Sequence, residues 1–106
     1  VPTKEDSHFE HKIVNELAFP LTRIKGISIL EYRTPSTLDS WSPNTFTNIT
    51  EFFDEKQRQL MLFKSQKDRW YFQEDLLKSF HSNFQSYKKG IKYVEKFKTV
   101  QFYDRD

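Results

Sequence analysis

The sequence contains no cysteine, which excludes a disulfide framework, a thiolate metal site and a cysteine nucleophile. On that ground the expected location is intracellular, in the cytoplasm or nucleus. Glycine is almost as scarce, with two residues in the whole chain. Neither a P-loop nor a dinucleotide-binding loop can be assembled from so few, so nucleotide hydrolysis and nicotinamide chemistry are not expected. No stretch comes near the ~20 apolar residues that span a bilayer. The N-terminus lacks the basic-then-apolar order of a signal peptide. The chain starts with Val1 rather than Met, as expected of a processed chain or a piece of a longer protein.

Aromatic residues are abundant: eleven Phe, five Tyr and two Trp among 106 residues. Each ring can bury roughly 150–250 Å², enough for one small core with few aliphatic residues, and a chain of this length is expected to form a single domain. More rings are present than one core stripe can take, and surplus exposed apolar surface usually marks a site for a partner.

The net charge is +2, below that of a dedicated DNA binder. Its distribution is uneven: from Lys78 to Lys98 six lysines face one acid, Glu95.

Val1–Ser7 is polar, contains Pro2, and is expected to be disordered. Phe9, Ile13, Val14 and Leu17 then fall at helical spacing, in a helix that must stop before Pro20. Ile27–Arg33 is a β-branched run with partial alternation and reads as a strand. Thr34–Ser40 reads as a connector. Ser42-Pro43 has the form of a helix cap followed by proline at the first helical position. Phe46, Ile49, Phe53, Leu60 and Phe63 follow at steps that place one stripe on a helix from Pro43 to Lys64. A competing reading ends that helix near Gln57 and makes Gln59–Phe63 a strand. Trp70, Leu77, Phe80, Phe84 and Tyr87 predict a second helix from Asp68 to Lys89, stopped by Gly90. The segment after Gly90 reads as two short strands, with a third helix as the competing reading. The expected fold is therefore α+β and helix-dominated, an antiparallel helical hairpin packed on a small sheet. An all-α bundle is the alternative.

No catalytic motif is present, and no cofactor is expected. His8 and His11, with Glu5 or Glu10 nearby, have a spacing that could seat a metal, but metal sites usually show denser ligand patterns, and none is assigned. Asp54-Glu55 and Glu74-Asp75 read as solvated helix surface with local ion pairs. Asn48-Ile49-Thr50 matches the glycosylation pattern, which matters only in a secreted chain.

Asn83-Phe84, Tyr87, Val100 and Phe102-Tyr103 have a spacing that resembles the tail of SANT/Myb-type three-helix domains, and Trp70 with Glu74 is similar to their first helix. The interval from Trp70 to Phe84 is shorter than in that family, and the family is not adopted.

The expected function is that of a non-enzymatic protein–protein interaction module, with Trp41, Phe52, Trp70, Tyr71 and Phe72 as partner-binding residues. The alternative is nucleic-acid binding through Lys88, Lys89, Lys92, Lys96 and Lys98, where cations meet phosphate and interleaved rings stack on bases.

Overall fold

The computed structural model describes residues 1–63, 68–83 and 90–104. It is built from helices α1 (Phe9–Ala18), α2 (Phe53–Leu60) and α3 (Glu74–His81) and strands β1 (Ile29–Tyr32), β2 (Thr45–Asn48) and β3 (Val94–Gln101). Single 3₁₀ turns occur at Phe19–Arg23, Thr50–Phe52 and Trp70–Phe72. The sheet order is β1-β3-β2, with β1 antiparallel to β3 in a register that sets Glu31 opposite Lys98 and Tyr32 opposite Phe97. The α+β class stands. The chain divides into two compact units, Val1–Phe46 with Lys96–Asp106, and Thr47–Glu95.

In the first unit α1 begins where His8 Nδ1 accepts the Glu10 N–H at 3.2 Å, occupying one of the free donors of the first turn. It ends as expected ahead of Pro20, which cannot donate an intrahelical bond, and the chain tightens into the 3₁₀ turn. Gly26, at φ +91, then turns it into β1.

Val1–Ser7, expected to be disordered, is instead bonded along its length. Thr3 N–H donates to Tyr32 O at 3.3 Å, Tyr32 N–H to Val1 O at 2.9 Å, and Ser7 N–H to Ser36 O at 3.0 Å. The two bonds to Tyr32 satisfy backbone groups on the flank of β1 that would otherwise face solvent. The interior of this unit is unusually polar, because Thr3, Asp6, Glu31 and Thr37 are buried beside Ile29 and Trp41. Such groups are tolerated only when bonded, and among the described residues no buried side-chain N or O lacks a partner. The Glu31 carboxylate takes Trp41 Nε1–H at 3.3 Å on one oxygen and Asn15 Nδ2–H at 3.0 Å on the other.

The helix expected over Pro43–Lys64 is a strand, a turn and a short helix, beginning in the first unit and continuing into the second. Ser42-Pro43 caps nothing. Asn44 instead pairs with β3, its N–H donating to Phe97 O at 2.9 Å and its Oδ1 accepting the Thr99 N–H at 2.8 Å. The β-branched Thr45 and Thr47 suit the strand that follows. Asn48 Oδ1 then accepts the Thr50 N–H at 3.1 Å, an Asx turn that starts the helical part. Gln59-Leu60 belongs to α2, so the competing strand reading of Gln59–Phe63 also fails.

The helix expected over Asp68–Lys89 is likewise shorter. Gln73 is extended (ψ 137°) and separates the Trp70–Phe72 turn from α3. Ser82 is extended too, and Asn83 N–H donates to Lys92 O at 3.0 Å, ending the helix at His81. Phe84–Lys89 lies outside the described residues. No long helical hairpin is therefore found among the described residues, and helix dominance is not shown. Gly90 takes the left-handed region at φ +97. The two strands expected after it are one, β3, so Val100 lies on a strand and not on the third helix of a SANT/Myb-type domain.

Phe53, 1 % exposed, is the centre of the second unit with Leu77 and Val94. Its ring stacks on Tyr93 at 3.9 Å and lies 5.4 Å from the His81 ring. Beside it, His81 Nδ1 lies 2.7 Å from Leu77 O. A carbonyl can only accept, so the proton sits on Nδ1 and Nε2 accepts from Lys56 Nζ at 2.8 Å. Lys56 Nζ is also ion-paired with Glu95.

Candidate interaction surface

The helical spacing of α1 produces two rows on opposite sides. Phe9, Ile13 and Leu17 form one, four residues apart. His11 and Asn15, with Ala18 close by, form the other. In an ordinary surface helix the apolar row faces the core. Here the order is reversed. Asn15 Nδ2 donates to Pro2 O at 2.9 Å and to Glu31, and His11 Nδ1 donates to Asp6 Oδ2 at 3.0 Å, so the polar row faces inward. No residue of α1 is buried, and Phe9 and Leu17 are 72 % and 74 % exposed. Val14 on the flank and Phe19, Leu21 and Ile24 beyond the helix are exposed as well.

The polar row is held by Asp6, whose carboxylate is fully buried. It accepts Ser36 Oγ–H at 2.5 Å, Thr34 Oγ1–H at 2.6 Å, the His8 N–H at 2.8 Å and the His11 bond. Burial alone would raise the pKa of this carboxyl. The bonds from Ser36, Thr34, His8 and His11 outweigh burial and hold it far below the usual carboxylate range. Asp, His and Ser together invite comparison with a nucleophilic relay, but that device needs the hydroxyl on one imidazole nitrogen and the carboxylate on the other. Ser36 and Asp6 both approach Nδ1, and Ser36 gives its proton to Asp6. The arrangement builds a rigid anchor.

The His8 and His11 rings stack with centroids 4.4 Å apart. Among the described residues no group of three or more His, Asp or Glu side chains is placed to hold a metal ion. Among them, too, no helix is long and apolar enough to cross a membrane.

The residues expected to bind a partner differ in exposure. Trp41 is 4 % exposed and bonded to Glu31, which removes it from the surface. Its neighbours in sequence are polar, so only its long-range bond to Glu31 explains the burial. Phe52 is exposed and lines a cleft of about 300 Å³ along α2 with Glu55, Gln59, Leu60 and Phe63. Phe72 is partly buried and lines a cleft of about 400 Å³ with Arg58, Met61 and Glu74. Trp70 is half exposed and meets the Phe80 ring edge-on at 6.4 Å. Tyr71 belongs to the Trp70–Phe72 turn, and its side chain lies outside the described residues.

Of the lysines expected to bind phosphate, Lys88 and Lys89 lie outside the described residues. Lys92 is exposed, whereas Lys96 and Lys98 are half buried on β3. Burial, with the Arg33 charge second, lowers the pKa of the Lys96 ammonium. Among the described residues, Lys92, Lys96 and Lys98 do not form one solvated cationic stripe.

No family model, curated protein or solved structure matches the chain.

The outward facing of the Phe9–Ile13–Leu17 row is not legible in the sequence, because periodicity gives the helix and its two rows but not which of them faces the core. The signal that could have exposed it is Asp6 with His8 and His11. A carboxylate so close in sequence to two imidazoles can tie the polar side of the helix down.

Proposed function

We propose that the chain is a non-enzymatic protein-interaction module that docks through the outward row of α1, Phe9, Ile13 and Leu17. One observation carries this reading: the helix is fastened by its polar row, which leaves its apolar row in solvent. Exposing that row costs hydration free energy of about 25 cal/mol per Å², and a helix-in-groove contact removes it through anchors at the same i, i+4, i+8 positions. The clefts along α2 are lined by apolar and charged side chains together, Glu55 and Lys56 in one and Arg58 and Glu74 in the other.

Affinity capture with the chain and with its F9E/L17E variant as baits tests the reading. Both side chains are exposed, so the variant is expected to keep the fold, checked by circular dichroism. Proteins retained by the parent chain and lost by the variant support the proposal. Identical retention by both removes it.

The basic tail gives weaker support to nucleic-acid binding, because Lys96 and Lys98 are partly buried. Labelled DNA and RNA titrated at two salt concentrations test that alternative.

A further inference from the structure

The charges beside the outward row are arranged to match themselves. Lys12 and Glu16 lie one turn apart on one flank of α1, Glu10 lies on the other, and none of the three is in an ion pair among the described residues. From this we infer that the outward row takes a second copy of this chain, the two α1 helices packing antiparallel about a two-fold axis at the level of Val14. The inference rests on the docking role proposed above and names its occupant.

Helix geometry fixes the register. In an antiparallel two-fold pair each flank meets the same flank of the other helix, and residue i lies level with residue 28 − i. Lys12 is then level with Glu16 of the second copy, and Glu16 with its Lys12. Val14 meets Val14 on the other flank, where the two Glu10 carboxylates stand about 12 Å apart along the axis at 1.5 Å per residue. The large side chains alternate between helices: Phe9, then Leu17 of the second copy, Ile13, Ile13 of the second copy, Leu17, and Phe9 of the second copy. Successive ones differ in level by about 3 Å, the interdigitation that ridges and grooves of packed helices require. A parallel pair would set this flank against the opposite flank of the second copy, with Lys12 near Glu10 and Glu16 facing no cation, so restoration by exchanging the charges at 12 and 16 is expected of the antiparallel pair alone.

A ten-residue helix offers less than the ~800 Å² per partner of a standard stable interface. The expected dimer is accordingly reversible, with a dissociation constant in the micromolar range.

Sedimentation velocity of the full chain from about 1 μM to about 500 μM tests this, spanning the constant expected of a small interface. The parent chain should pass from monomer to dimer, and L17E should remain monomeric. K12E and E16K should each weaken association by about tenfold, since each turns two symmetric attractions into repulsions, and the K12E/E16K double variant should restore it. All three positions are exposed, and the charge-swap series decides the matter even if L17E folds poorly. A parent chain that stays monomeric throughout overturns self-pairing, as does a dimer indifferent to both L17E and the charge swaps. If the chain is monomeric while affinity capture through Phe9 and Leu17 persists, self-pairing fails and the docking role stands. Capture that is indifferent to those residues removes the docking role itself.

Discussion

Replacing Asp6 by Asn changes one atom of a side chain with no solvent contact, and the effect can be worked out from the groups around it. The carboxylate accepts from Ser36 at 2.5 Å, Thr34 at 2.6 Å, the His8 N–H at 2.8 Å and His11 at 3.0 Å. An amide in its place keeps one accepting oxygen and turns an N–H₂ group toward groups that were donating. Ser36 and Thr34 lie 3.0 Å apart and can rotate to bond each other, so two charge-assisted bonds are effectively lost. At roughly 1.5–3 kcal/mol each, D6N should cost about 3–6 kcal/mol, a large share of the ~5–15 kcal/mol that holds a domain of this size together. Urea denaturation read by tryptophan fluorescence measures it. In a Trp70→Phe background the signal comes from Trp41, which lies buried in the same unit as Asp6. The pH dependence is a second check. The folded-state pKa of Asp6 lies below the ordinary carboxyl value of 3.8. Its contribution is therefore complete above that value and lost as pH falls toward the folded one. The gap between parent chain and D6N should be full at about pH 5 and visibly smaller by about pH 3. A D6N chain within about 0.5 kcal/mol of the parent, the range of an ordinary surface change, would refute the account of the anchor. So would a gap that does not change with pH.

Phe53→Ala should cost about 3–5 kcal/mol through cavity formation and loss of the Tyr93 stack, read by the same denaturation in a Trp41→Phe background, where Trp70 reports on the second unit. Trp41→Phe should cost about 1–3 kcal/mol, because it leaves one oxygen of the buried Glu31 carboxylate without its donor; thermal unfolding by circular dichroism checks it. Leu17→Glu should change stability by no more than about 0.5 kcal/mol, in contrast to its effect on association, and urea titration of the monomeric species separates the two.

Local pattern was informative where an element could be decided locally. The spacing of Phe9, Ile13, Val14 and Leu17 with Pro20 gave α1 and its end, and Ile27–Arg33 contained β1. Phe46, Ile49 and Phe53 misled because steps of three and four across a strand, a turn and the start of a helix imitate one continuous helix. The deciding groups were Asn44 and Thr45, and their partners Phe97 and Thr99 lie more than fifty residues away. The anchor was illegible for the same reason. Thr34 and Ser36 lie 28 and 30 residues from Asp6, in a stretch whose composition says only that it is a loop. Thr3, polar and near an end, offered no sign that it would be fully enclosed.

The reversal of α1 assigns its two rows to separate tasks. A change at His11 or Asn15 is registered by the architecture, through Asp6 and Glu31, whereas Phe9 and Leu17 have most of their surface in solvent. The outer surface at Phe9 and Leu17 can therefore be rewritten on this helix without reopening the question of whether the chain folds.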